Sequence, residues 1–281
     1  MKKISRRNFL TSVALAATLP LTAKESKTSK QSLKFIHATD THLDWNDKET
    51  IDALKLMVEF INENYQDLDF VCFGGDNFNN NIKGNKDALL FKEITDKLHC
   101  KTLHVRGNKE AFPNPNDSIH LSEFQNLFVK DRGLIINGKD WAYEKNGYIF
   151  LGLDSGVEGK NNGLYEKDTI SFAKKMLDKG KPTIALNHHP YTNFWGEKKE
   201  SMIHNYVLNN TKEVQKELFS YDNLLLTLSG HKHMDSTKEV IHGTKVIATR
   251  GFVRMLDMDM FPMRYVEMNG KQISEKLIYT E

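Results

Sequence analysis

Apolar and polar positions alternate between two periods along the first half of this chain. The run "LKFIHATD" is apolar enough to be a strand buried on both faces, and "TIDALKLMVEFINENY" then spaces Ile51, Leu54, Met57, Val58 and Ile61 as one stripe of a helix. "LDFVCFGGD" returns to a buried strand, "KDALLFKEITDKLH" to a helix and "KTLHVRGN" to a strand. Strands separated by helices imply βαβ units and a largely parallel sheet. The second half differs. "GLIINGKDWAYEKNGYIFLGLDS" reads as consecutive strands with tight turns at Asn137-Gly138 and Asn146-Gly147. Helices follow in "TISFAKKMLDKG" and "TKEVQKELFS", with "KPTIALNHH" and "NLLLTLSGHKH" as strands, and short strands fill the tail from Lys238. The expected architecture is α/β, with two mixed β-sheets packed together and flanked by helices.

The first residues do not fit that pattern. "MKKISRRNFLTSVALAATLPLTA" has a basic start, a short apolar run and small residues at a cut site near Ala23. It reads as a signal peptide, too short to span a membrane. The paired Arg6 and Arg7 before Phe9-Leu10 match a twin-arginine signal, although a Sec signal or an uncleaved anchor is the alternative. The expected division is a signal over 1–23, a polar linker over 24–32 and one catalytic domain over 33–281. Localisation would be periplasmic or otherwise extracytoplasmic, with the twin-arginine export machinery as a partner and no stable membrane insertion after cleavage.

Removing that segment takes away four basic residues and no acid, so the formal charge moves from +2 to −2. A nearly neutral mature chain gives no electrostatic reason to expect nucleic acid. Export invites disulfides, but Cys72 and Cys100 are the only cysteines. Counted from the polar residues that end their strands, they are offset by about four residues of roughly 3.3 Å each. That is too far for a bridge, and two free, buried thiols are expected.

Chemistry gathers where the strands end, which is where open α/β sheets build sites. Asp40 and His42 follow the first strand, Asp76 the second and Asn108 the third; His188 follows a later one, and His231 and His233 the last apolar run. On a continuing strand His231 and His233 would share a face, with Gly230 letting the backbone approach an ion. Oxygen and nitrogen donors without thiolate suit Mn, Fe or Zn. Seven are too many for one open catalytic ion but suit two sharing a carboxylate. Each motif alone is more often a polar turn; the series is the signal.

The series D-x-H, G-D-N, G-N-x-E, H-x-P and G-H-x-H resembles the calcineurin-like metallophosphoesterase superfamily, over about Leu33 to Gly251. The resemblance implies a four-layer fold and two metal ions. Asp40, His42 and His233 would hold one, Asp76 would bridge, and Asn108, His188 and His231 would complete the other. A metal-bridging hydroxide would then attack a phosphate mono- or diester. His189 would line the pocket or pack. The family's usual His after the ligand Asn is here Lys109, which is expected to act as an electrostatic clamp on the leaving group with some acid character. The alternative is that Lys109 points into solvent and catalysis is weak or supplied by His189 or His120.

The remaining polar clusters have plainer readings. His37 and His104 belong to core or pocket wall, while His99, His120, His204 and His242 are solvated. Five methionines in "RMLDMDMFPMRYVEM" predict an apolar strand or flap, with a Met258–Met260 thioether site for Cu(I) as the alternative. Substrate choice would lie in the loops "WNDKET", "NFNNNIKGN", "EAFPNPNDSIH" and "YTNFWGEKKESM", where Trp195 and Phe194 either stack on a ring or anchor the loop. The expected activity is hydrolysis of small organic phosphoesters outside the cytoplasm. Cyclic-nucleotide signalling ranks lower because the messenger is made inside. A nuclease, or a non-catalytic metal-binding or sensory protein, remains the alternative.

Overall fold

The computed structural model describes residues 32–80, 82–111, 119–233, 236–253 and 261–280. The signal, almost all of the linker, most of the "EAFPNPNDSIH" loop, and Met258 and Met260 therefore lie outside the described residues. The first half runs β1 (Ser32–Ala38), α1 (Lys48–Asn64), β2 (Phe70–Phe73), α2 (Lys86–Thr95) and β3 (Lys101–His104), then two short helices, α3 (Asn108–Ala111) and α4 (Leu121–Phe128). The second runs β4 (Ile135–Asn137), β5 (Asp140–Lys145), β6 (Tyr148–Gly152), α5 (Lys167–Leu177), β7 (Thr183–Leu186), α6 (Glu200–Tyr206), α7 (Thr211–Leu218) and β8 (Leu224–Ser229). It closes with β9 (Thr237–Ile241), β10 (Thr244–Ala248), β11 (Pro262–Asn269) and β12 (Gln272–Tyr279).

These strands form two mixed sheets, ordered β12-β11-β1-β2-β3 and β4-β5-β6-β7-β8-β10-β9. The parallel centre of the first is β1-β2-β3, and that of the second is β6-β7-β8-β10. Alternation explains the layers. On β6, Phe150 faces the other sheet, where it meets Phe35 at 5.3 Å and Phe70 at 4.8 Å between ring centres. Ile149 and Leu151 point the other way, into a second core with Phe172 and Met176 of α5 and Val214 of α7. The apolar face of α1 (Ala53, Leu54, Met57, Val58, Ile61) and α2 residues Phe91 and Ile94 join the core of the first sheet. Helix α1 begins at Asp47, whose carboxylate accepts from Glu49 N at 2.9 Å.

The expected four-layer α/β arrangement is thus present, with local differences. The first hairpin turns on Gly138-Lys139 rather than Asn137-Gly138, because Asn137 pairs with Asp140. The second turns on Asn146 and Gly147, both with positive φ. Both cysteines are free, but Cys100 is only partly buried, since it sits just before β3 at the rim. Of the methionine cluster, Met263 and Met268 are core residues of β11.

Candidate active site

Strands β1, β2 and β3 of one sheet and β7 and β8 of the other end at one edge of the sandwich. All seven predicted ligands lie a few residues beyond those ends. Tight turns aim them inward: Asp40, His42, Asp76, His231 and His233 all have φ between 43° and 67°. Non-glycine residues rarely occupy that region, and clusters of them mark sites where surrounding structure imposes the conformation. Backbone bonds hold the turns, among them Asp40 N to Gly75 O at 3.0 Å and His42 N to Asp76 O at 2.9 Å. His231 and His233 therefore do not share a strand face. Strand β8 stops at Ser229, and the two rings go to different partners.

Two groups of donor atoms result, each within 4.8 Å: Asp40, His42, Asp76 and His233, and Asp76, His188 and His231. Asp76 belongs to both. Asn108 joins the second group, with its Oδ1 3.1 Å from His188 Nε2. Each of three imidazoles has one nitrogen anchored on an oxygen. His42 Nδ1 is 3.0 Å from Asn79 Oδ1, His188 Nδ1 2.9 Å from Gly74 O, and His231 Nε2 3.0 Å from Asn205 O. The other nitrogen is left to face the centre, the tautomer control that metal-binding histidines show.

The donor set fits a metal. Asp40 Oδ2 accepts from Thr39 Oγ1 and His231 N. Its Oδ1 is buried and not placed to accept a hydrogen bond, although His233 Nε2 lies 2.7 Å away. Burial would push the Asp40 and Asp76 carboxyls up, but the nearby imidazoles outweigh it and hold both below the usual range. Burial likewise opposes a charge on His188, yet Asp76 and Asp40 raise it to about 9. A proton on His188 stands where a cation would otherwise balance the carboxylates.

Small residues let these groups meet. A Cβ on Gly107 would lie 2.3 Å from both Asp76 N and Asp76 Oδ1. One on Gly230 would lie 2.3 Å from Asp40 Oδ2, so this glycine supplies space rather than an unusual φ.

Lys109 lines the cleft with His42, Asp76, Asn108, Asn161, Asn205, Tyr206, His231, Lys232 and His233, a space of about 250 Å³. Its main chain is fixed, N to Asp76 Oδ1 at 2.7 Å and O from Asn80 Nδ2 at 3.3 Å. His189 does not reach the cleft. It is fully buried, with Nδ1 2.8 Å from Ser155 Oγ and Nε2 2.9 Å from Asn161 O, and burial drives its pKa well below the ordinary value. It is a packing residue behind His188 and His231, not a proton donor to substrate. His120 is exposed at the start of α4 and does not line the cleft either.

Sequence reasoning left Glu110 without a role. The backbone N–H groups of Gly107, Asp76 and Asn77 all donate to its carboxylate, at 2.7–3.1 Å, tying the β2 and β3 turns together. Burial and Asp76 push it up to about 7 against those donors. Its place three residues after Gly107 in "GNKE" is the signal that could have found it. Nothing comparable marks Asn79, Asn205 or Tyr206.

Residues 33–235 match the family model for calcineurin-like phosphoesterase. The chain belongs to that family. It is a metal-dependent phosphoesterase, and the two donor groups sharing Asp76 agree with the family's dinuclear centre. Among curated proteins, a probable cyclic nucleotide phosphodiesterase of Coxiella burnetii is 22% identical over 213 residues, 73% of this chain and 77% of the relative. Among solved structures, a dimetal phosphatase from Danio rerio superposes with a TM-score of 0.66 at 13% identity, covering 89% of this chain and 99% of that one. A purple acid phosphatase from yellow lupin seeds gives 0.56 at 11% identity, over 89% and 52%. At such identities the two structures speak to the fold alone.

Proposed function

We propose that this calcineurin-like phosphoesterase is an exported enzyme that hydrolyses mono- or diesters of small organic phosphates outside the cytoplasm. The observation that carries the reading is the membership of Asp76 in both donor groups. Asp40, His42 and His233 would hold one ion of Mn, Fe or Zn, and Asn108, His188 and His231 a second, with Asp76 between them. Such a pair supplies Lewis acidity to a phosphoryl group and lowers the pKa of a water. The chain's own part is to fix the donors by Gly74, Asn79 and Asn205 and to exclude bulk water from a cleft whose ligands are nearly all buried. Lys109 offsets charge at the phosphoryl and leaving oxygens.

Export rests on "SRRNFL" and implies the twin-arginine machinery as partner and a periplasmic location. The near-neutral mature chain supports a small-molecule substrate rather than nucleic acid. Among the described residues no helix is long and apolar enough to cross a membrane. The description of the Coxiella relative favours cyclic nucleotide diesters as a second reading. A phosphoester screen that includes a cyclic nucleotide, run with Mn²⁺ and again after chelation, tests all of this. Metal-dependent phosphate or alcohol release is expected. Protein that holds two ions and turns over no phosphoester would instead be a binding or sensory module.

A further inference from the structure

Lys232, between the two cleft histidines, sits in an aromatic corner of the cleft. Its Nζ lies 4.3 Å from the ring centre of Tyr206 and 4.7 Å from that of Trp195. Those rings stand 5.9 Å apart and nearly perpendicular, at 84°. Contact with two aromatic rings holds an ammonium in place while leaving it charged. Trp195 Nε1 is buried without a hydrogen bond, so the indole is fixed by its packing on Phe194, Tyr206 and the lysine. Glu197 of the same loop lies within reach of the charge, but its Oε1 accepts from Lys198 N and Lys199 N.

Lys232 and Lys109 both line the cleft, and Asp76 is the carboxylate among its lining residues. We propose that Lys232, preset by Trp195 and Tyr206, is a second cationic arm that selects phosphate monoester dianions over diester monoanions. A monoester presents a bare oxyanion where a diester presents a second ester oxygen. A second ammonium lining the same cleft as Lys109 would reward the extra charge of the dianion. This also gives Trp195 of the aromatic loop a role as a seat for Lys232.

The proposal rests on the phosphoesterase reading, and the test separates the two. Wild type, Lys232→Met, Lys232→Arg and Trp195→Leu, all metal-loaded, are compared on p-nitrophenyl phosphate and bis(p-nitrophenyl) phosphate, which share a leaving group. Binding of inorganic phosphate is measured in parallel by calorimetry. A charge-assisted contact is worth about tenfold or more in affinity. Lys232→Met should therefore raise the monoester KM and the phosphate Kd on the order of tenfold, while diester kcat/KM changes by less than about threefold. Lys232→Arg should restore most of the monoester preference, since guanidinium also stacks on rings. Trp195→Leu should raise the monoester KM with kcat nearly unchanged. An unaltered monoester-to-diester ratio and phosphate Kd in Lys232→Met would overturn the proposal. Wild type that turns over neither ester, nor any phosphoester of the screen that includes a cyclic nucleotide, would overturn the phosphoesterase reading, and the phosphate titration would still decide the role of Lys232.

Discussion

His42 and His233, 191 positions apart in the chain, face each other Nε2 to Nε2 at 3.1 Å. The far side of the His42 ring is committed to Asn79. Of two imidazole nitrogens in such a pair only one can donate to the other, and nothing in the packing of the rings, whose centres are 4.8 Å apart, requires the approach. With Asp40 and Asp76 the two rings form a group of donors that would hold a cation. At this edge the end of β1 and the turn after β8 are joined by polar contacts, His231 N to Asp40 Oδ2 at 2.9 Å and His233 Nε2 to Asp40 Oδ1 at 2.7 Å, among side chains that could share a cation.

Metal content follows directly. Fully loaded wild type should hold two ions per chain by elemental analysis, and His233→Ala close to one, because the group of Asp76, His188 and His231 does not include His233. Asp76→Asn should lower content at both sites and cut kcat/KM by on the order of 10³-fold or more, since among the described residues no other carboxylate belongs to both groups. Active, fully loaded wild type with one ion or fewer would contradict the dinuclear centre.

Asp140 gives a pH signature away from the metals. Burial, with the Asp154 carboxylate adding, pushes its carboxyl from 3.8 up to about 7, although Asp154 N donates to it at 2.8 Å. The folded chain thus binds a proton more tightly here than the unfolded chain does. Stability falls as pH rises from about 4 to about 7, and the penalty is full above that window. Asp140→Asn keeps an acceptor and removes the charge. Its melting temperature should rise relative to wild type, by more at pH 8 than at pH 5, with a gain on the order of a few kcal/mol at the higher pH. An equal shift at both values would mean that Asp140 does not titrate there.

Why the ligand list was legible but its arrangement was not comes down to backbone geometry. Asp40, Asp76, His188 and His231 each stand a fixed few residues past an apolar run, and apolar runs are what periodicity detects. The left-handed turns at His231 and His233 leave no trace in periodicity. Strand alternation therefore put both rings on one face, whereas they serve different groups. The short helices α3 and α4 were missed for a related reason: α3 has four residues and is fixed by Glu110 bridging two turns, which is tertiary structure rather than propensity. Lys232 and Tyr206 meet only because α6 folds back over the β8 turn, and no local pattern encodes that.

Export is separable from catalysis. Replacing Arg6 and Arg7 together by lysines should leave precursor in the cytoplasm, because the pathway reads the arginine pair as an address. Fractionation followed by immunoblotting measures it. Undiminished periplasmic protein in that variant, or loss only when Sec is blocked, would count against twin-arginine export.

Lys109 is the sharpest departure from the family pattern, and the structure makes it a clean position to test. Its N–H and carbonyl are bonded to Asp76 and Asn80, so a side-chain change leaves the turn in place. Neither histidine alternative serves: His189 is enclosed with both nitrogens engaged, and His120 lies outside the cleft lining. An ammonium stabilises developing charge at a leaving oxygen through its positive charge. The enzyme should then favour aryl esters or phosphoanhydrides, whose leaving groups depart as stable anions, over alkyl esters. Lys109→Ala should lower kcat/KM by on the order of 10²-fold on an aryl ester. Lys109→His, which introduces a group that titrates near neutrality, should recover alkyl-ester turnover preferentially. Steady-state kinetics of the three proteins on a matched aryl and alkyl monoester decide the matter. If Lys109→Ala matches wild type on both, the ammonium takes no part in leaving-group departure, and the cleft works through its metals and Lys232 alone.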